Sequence, residues 1–159
     1  MVVLDLGAAP GSWTQFASEK IGPKGRVVAI DLEPLSVTLP NVVSLEANIF
    51  ETDWTVVLEP SGLRPEFDLV LSDMAPKTTG IRFTDQTRSM ELCEKALEVA
   101  EKTLRKDGTF VCKLFHGAEF KNFQMRLKKT FERVEILRPE STRKESKEIY
   151  FIALNFAGK

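Results

Sequence analysis

The stretch Val3-Leu4-Asp5-Leu6-Gly7-Ala8-Ala9-Pro10-Gly11-Ser12-Trp13 runs from a buried strand through a tight turn into a helix. Its β-branched, apolar start favours a strand, and glycine at position 7 permits the turn that leaves it. Gly11 lets the backbone approach a ligand closely, and the helix beyond it points its N-terminus at that ligand. Asp31 closes the next apolar run, 20 residues after Gly11. An acid at that place accepts hydrogen bonds from a ribose diol. These spacings predict a nucleoside-containing ligand at the end of the first strand.

Outward from that junction, strands and helices alternate. Val2–Leu6 is the first strand, 13–20 has helical spacing, and Arg26–Asp31, 42–45 and Phe67–Ser72 are further strands. Met90, Cys93, Leu97, Ala100 and Leu104 mark an amphipathic helix over 86–105, with Lys106-Asp107-Gly108 as its stop. A fifth strand follows over 109–115, then a helix over Phe120–Thr130, then strands over Phe131–Leu137 and 148–154. Strands separated by helices imply a mainly parallel sheet covered on both faces. The closing pair, joined by a charged loop, implies one antiparallel strand. The expected fold class is therefore α/β, a Rossmann-like, mostly parallel seven-stranded sheet with one antiparallel strand, in a single domain over 1–159.

Composition narrows the class further. A 43% hydrophobic, 28% charged chain has enough apolar material for a core. The net charge of −1 excludes a polybasic nucleic-acid binder, so any RNA contact must come from local basic patches. Cys93 and Cys112 lie far apart without metal-ligand spacing. They read as free, buried thiols of a reducing compartment, with no metal implied. No apolar run approaches the roughly 20 residues of a membrane span, and no signal peptide is visible. The expectation is a soluble cytoplasmic monomer, or a mitochondrial matrix protein if a targeting leader has been removed.

Two nucleoside ligands compete for the first turn. A dinucleotide site prefers Gly-x-Gly-x-x-Gly, which leaves room for a pyrophosphate. Here the pattern is Asp-x-Gly-x-x-x-Gly, from Asp5 to Gly11. S-adenosylmethionine has no phosphate but carries an ammonium and a sulfonium, so Asp5 suits it and the nicotinamide cofactors are disfavoured. Asn48, just past the third strand, is placed either to hydrogen-bond an adenine edge or to cap its own loop.

At the other side of the expected crevice, Ser72-Asp73-Met74-Ala75-Pro76 follows the fourth strand. Exocyclic-amine methyltransferases use Asn-Pro-Pro-Tyr there, whereas an acid suits a hydroxyl acceptor better. Lys113 lies inside the apolar run Phe110-Val111-Cys112-Lys113-Leu114-Phe115. A buried cation demands a partner. Asp73, Lys113 and Glu148 come from the ends of neighbouring elements and are expected to converge. His116, the only histidine, reads as a structural residue in preference to a substrate contact.

These segments resemble the FtsJ/RrmJ family of ribosomal RNA ribose 2′-O-methyltransferases over essentially the whole chain. The resemblance is carried by 3–13, 72–76, 111–115 and Ser141-Thr142-Arg143-Lys144-Glu145-Ser146-Lys147-Glu148-Ile149-Tyr150, in that order. It implies S-adenosylmethionine as cofactor, the S-adenosylmethionine-dependent methyltransferase fold, and ribosomal RNA, within a ribosomal particle, as substrate, with a uridine ribose as acceptor. The family's Lys-Asp-Lys-Glu tetrad maps its last three members onto Asp73, Lys113 and Glu148. Its cofactor contacts map onto Gly11, Trp13, Asp31, Asp73 and position 48, where Asn48 stands in place of the common Asp. Asp5 and Gly7 complete the expected pocket.

The first tetrad lysine belongs in the family to a helix before the first strand. The chain opens directly on Met1-Val2-Val3-Leu4, so the resemblance implies that the N-terminal helical segment is missing. Cofactor binding with poor methyl transfer is the expected consequence, and a catalytically impaired cofactor- or RNA-binding module is the alternative. RNA phosphates are expected on Lys77 and Arg82, after the Asp73 loop, and on Arg138, Arg143, Lys144 and Lys147.

Overall fold

β1 (Val2–Leu6) turns Val3 to one face and Leu4 to the other, and both are fully buried. A strand buried on both sides needs a cover on both sides. One cover is α1 (Ser12–Ile21), whose Ala17 packs on Val3, Val27 and Leu71. The other is α2 (Arg82–Thr103) with α3 (Phe120–Thr130). Leu97 of α2 and Phe123 of α3 share the larger core cluster with Leu4, Val70, Phe110 and Phe151. This computed structural model describes residues 1–53, 66–139 and 148–158.

The remaining strands are β2 (Arg26–Asp31), β3 (Val42–Glu46), β4 (Phe67–Ser72), β5 (Leu104–Phe115), β6 (Phe131–Leu137) and β7 (Glu148–Phe156). The seven form one sheet in the order β3-β2-β1-β4-β5-β7-β6. β1 pairs in parallel with both β2 and β4, which places the reversal of strand order between β1 and β4. Ligand crevices open at such a reversal, beyond the carboxyl ends of the strands. β7 is antiparallel to both of its neighbours, β5 and β6, so it is the single antiparallel strand that the loop-linked closing pair implied.

Both ends of the second helix differ from the sequence expectation. The second helix begins at Arg82 rather than 86, because its polar first turn is tied down by Asp85 and not by an apolar face. It ends at Thr103, and Lys106-Asp107-Gly108 is no helix stop. Those residues lie within β5, whose pairing with β4 jumps from Phe67↔Leu104 to Leu69↔Thr109. Asp107 takes a φ of 62° in that irregularity, where β5 advances five residues against two in β4. Among the described residues, no helix is long and apolar enough to cross a membrane.

Phe151 is fully buried and meets Phe120 at 5.2 Å and Phe123 at 5.5 Å between ring centroids. It joins the antiparallel strand to α3. Phe151→Ala is expected to lower unfolding free energy by about 3–5 kcal/mol, measured by urea denaturation. A loss below about 1 kcal/mol would show that this junction carries little of the fold.

Candidate active site

The loop after β1 is built on backbone bonds to the neighbouring strands. The N–H groups of Gly7 and Ala8 both donate to the Ile30 carbonyl of β2, at 2.8 and 3.2 Å, and the Asp73 N–H donates to the Leu6 carbonyl at 3.3 Å. Gly7 has φ +77°, and a Cβ there would lie 2.5 Å from Met74 Cγ. Glycine is therefore required both by conformation and by the passage of the Asp73 loop. Gly11 has φ +125°, but the space its missing side chain leaves is taken by Val37, 2.7 Å from an ideal Cβ. Glycine at position 11 is thus required by the packing of the 35–37 loop, a contact too distant in sequence to be read from spacing.

A cavity of about 480 Å³ opens at the strand-order reversal, lined among others by Gly7, Asp31, Asn48, Phe50, Asp73 and Met74. Asp31 braces it: its two carboxylate oxygens accept the Ala9 N–H and the Glu33 N–H, each at 3.0 Å. Asn48 lines the cavity and also caps its loop, because its Oδ1 accepts the Phe50 N–H at 3.0 Å. The loop-cap alternative for this residue is therefore realised. Asp5 lies below the loop, fully buried, with Oδ2 accepting the Thr14 hydroxyl at 2.6 Å and Oδ1 without a partner. Burial pushes its carboxyl up to about 6 against the Thr14 hydrogen bond, and the charges of Asp73 and Asp31 add to the rise. Three carboxylates thus share one field, an environment that favours a cationic ligand.

On the far side of Asp73 the arrangement changes. Lys113 Nζ stands 3.1 Å from Asp73 Oδ1, with the lysine 9% exposed. Tyr150, opposite Lys113 in the β5–β7 register, donates its hydroxyl to the same Oδ1 at 3.0 Å. Burial and the adjacent Asp73 carboxylate hold the phenol well above its usual range, so it stays a donor. Its ring lies 5.8 Å from that of Trp13, which is placed beside Asp73 and Tyr150 in a small cleft and not in the 480 Å³ cavity. Glu148 occupies the same face of β7 two residues before Tyr150, and makes no ion pair with Lys113 within 4.0 Å among the described residues. Asp73 and Lys113 are brought together as the sequence implied; Glu148 stands at the edge of the group.

Tyr150 was missed by sequence reasoning. The signal was available, since residues two apart on a strand share a face and Glu148 was already placed there. Of the expected phosphate contacts, Lys77, Arg82 and Arg138 are exposed, while Arg143, Lys144 and Lys147 lie outside the described residues. His116 packs its ring 4.8 Å from that of Phe120, and its carbonyl accepts the Gln86 side-chain N–H at 2.8 Å, a structural arrangement. Cys93 and Cys112 are both free and buried.

The family model of the FtsJ-like methyltransferases matches residues 1–156. Among curated relatives, the ribosomal RNA large subunit methyltransferase E of Bdellovibrio bacteriovorus is 55% identical over 154 residues, covering 97% of this chain and 79% of that protein. The methyltransferase E of Nitratidesulfovibrio vulgaris is 46% identical over 159 residues, covering 99% and 78%. Among solved structures, a Plasmodium falciparum chain described as a ribosomal RNA methyltransferase superposes with a TM-score of 0.86 at 27% identity, covering 99% of this chain and 87% of that one.

The Asp5 carboxyl gives a pH signature. A folded value near 6 against an ordinary value of 3.8 means that the folded state binds the proton more tightly. The stability it contributes is present below about pH 4 and is lost as pH rises through 6, a change on the order of 3 kcal/mol. Relative to the parent chain, Asp5→Asn is expected to gain stability steadily between pH 4 and 6.5, measured by urea unfolding. A difference that does not change over this window would contradict the placement of Asp5.

Proposed function

The chain belongs to the FtsJ-like methyltransferase family, and on that premise we propose that it methylates a ribose 2′-hydroxyl of ribosomal RNA. It is an S-adenosylmethionine-dependent RNA methyltransferase, as its relatives' activity and the fold agree. The observation that carries the ribose assignment is the pairing of Lys113 with Asp73 beside the crevice. A hydroxyl acceptor has a proton to remove and no lone-pair amine to orient, so an amine base beside a carboxylate fits it.

The residues present fit the cofactor. The cavity ends at Asp31, which suits a ribose diol, and at Asn48, which suits an adenine edge. The carboxylates of Asp5, Asp31 and Asp73 favour its positive charges. When bound, S-adenosylmethionine supplies an electrophilic methyl group on a sulfonium.

Everything else falls to side chains of the chain. Neutral Lys113 Nζ takes the proton of the ribose hydroxyl as the oxygen attacks, and Asp73 stabilises the ammonium that results. Tyr150, held as a hydrogen-bond donor, fixes the Asp73 carboxylate so that one oxygen meets Lys113. Trp13 walls the cleft through its contact with Tyr150. Glu148, on the same strand face, adds negative potential that favours the protonated lysine after transfer. RNA phosphates are held by Lys77, Arg82 and Arg138 around this crevice, joined by Arg143, Lys144 and Lys147 from the charged connection before β7. The acceptor is RNA inside a ribosomal particle, whose folded surface compensates for a net charge of −1, and the chain works as a cytoplasmic monomer.

Lys113→Ala is expected to reduce labelled methyl transfer to undermethylated large-subunit RNA by at least about 100-fold, with S-adenosylhomocysteine affinity within about threefold of the parent. Lys113→Arg is expected not to recover the loss, because a guanidinium is never neutral at working pH. Undiminished transfer by a folded Lys113→Ala variant would remove Lys113 from the chemistry.

A further inference from the structure

Every residue from Lys77 to Phe83 is exposed, on the α2 side of the crevice. The segment is nevertheless pinned. Asp85, buried in the first turn of α2, accepts the Thr79 N–H at 2.8 Å and the Thr79 hydroxyl at 2.9 Å. The same hydroxyl accepts the Ile81 N–H at 3.2 Å. These bonds hold the Asp85 carboxyl below the usual carboxylate range, so the tie is fully ionised at neutral pH.

What the pinned segment carries outward is apolar. Ile81 is 62% exposed and Phe83 77%, the highest exposure of any large apolar side chain among the described residues. A fixed loop that leaves a phenyl ring in water forgoes the burial that ordinarily places such a ring inside. Lys77 and Arg82 in this segment, and Arg88 further along α2, are exposed; none of the three forms an ion pair within 4.0 Å among the described residues, and Arg88 acts on the Asp85 carboxylate.

The ring also adjoins the reaction site. Phe83 lines a groove of about 910 Å³ together with Phe50, and Phe50 lines the 480 Å³ cavity beside Asp73. Further along, the groove carries Glu91, Glu94, Glu98 and Glu119 together with Lys95 and Arg126, which pair with Glu98 and Glu94.

We propose that Phe83, with Ile81, is a stacking platform for an unpaired RNA base next to the nucleotide whose ribose is methylated. Lys77, Arg82 and Arg88 hold the phosphates on either side of that base. Single-stranded bases stack on exposed aromatic rings while cations track the backbone, and these two elements stand side by side here. Charge favours RNA over a protein partner, since Arg82 directly precedes Phe83 and Lys77 lies in the same pinned segment, both exposed and without an ion pair among the described residues. The inference rests on the RNA reading of the Asp73–Lys113 crevice.

The test measures binding of the chain, saturated with S-adenosylhomocysteine, to deproteinised large-subunit RNA lacking the modification and to assembled large subunits. Phe83→Ala is expected to weaken binding to the deproteinised RNA about tenfold without changing Tm or S-adenosylhomocysteine affinity. Phe83→Trp is expected to keep the affinity and to lose indole fluorescence as RNA is added, through base stacking. Arg82→Ala is expected to reduce the salt dependence by about one phosphate contact. Equal affinity of Phe83→Ala and the parent for deproteinised RNA would overturn the proposal; a loss confined to assembled subunits would overturn it in favour of a ribosomal protein contact. Failure of the parent chain to bind either RNA would instead overturn the RNA reading itself.

Discussion

A lysine ammonium inside a sheet is the constraint around which this molecule is arranged. Taking a cation out of water costs several kcal/mol unless an anion and hydrogen bonds replace the lost hydration. Lys113 meets that requirement with Asp73 Oδ1 at 3.1 Å, and the surrounding topology makes the meeting unavoidable. β4 and β5 pair in parallel so that Ser72 lies opposite Cys112, one residue before Asp73 and Lys113 respectively. The insertion of β7 between β5 and β6 then brings Tyr150 across from Lys113. Its hydroxyl shares the oxygen that Lys113 uses. From the opposite face of the sheet, the Cys93 thiol donates to the Lys113 carbonyl at 2.9 Å, which fixes the backbone that carries the lysine. Buried Cys93 thus has a positional role.

The crevice has two electrostatic halves that meet at Asp73. Toward β1 and β2, carboxylates accumulate without a cation, and Asp5 carries the strain as a value of about 6. That half is prepared for a ligand that brings positive charge. Toward β5 and β7, the cation belongs to the protein, and Lys113 pairs with the Asp73 carboxylate. Asp73 borders both halves because it follows the strand next to the topological reversal.

Much of this was legible in the sequence. Asp5, Gly7 and Asp31 at their spacing located the crevice, and Lys113 in an apolar strand required an acid nearby. The loop-linked closing strands foretold the single antiparallel strand. What escaped depended on contacts between distant positions. Gly11 against Val37 and Tyr150 against Asp73 leave no periodic trace. The true start of α2 escaped because it rests on polar capping by Asp85, and the irregularity at Asp107 resembled a helix stop because both favour small or turn-forming residues. The family resemblance supplied the roles of Asp73, Lys113 and Glu148. The geometry joined the first two directly and left Glu148 on the same strand face without an ion pair.

The most direct measurement locates the methyl group itself. Labelled methyl is transferred from S-adenosylmethionine to undermethylated ribosomal RNA, the RNA is hydrolysed in alkali, and the products are separated. A methylated 2′-oxygen cannot attack the adjoining phosphate, so the account predicts that the label appears in an alkali-resistant dinucleotide. Label in a mononucleotide, carried on its base, would contradict the assignment of the Asp73–Lys113 pair to a ribose hydroxyl.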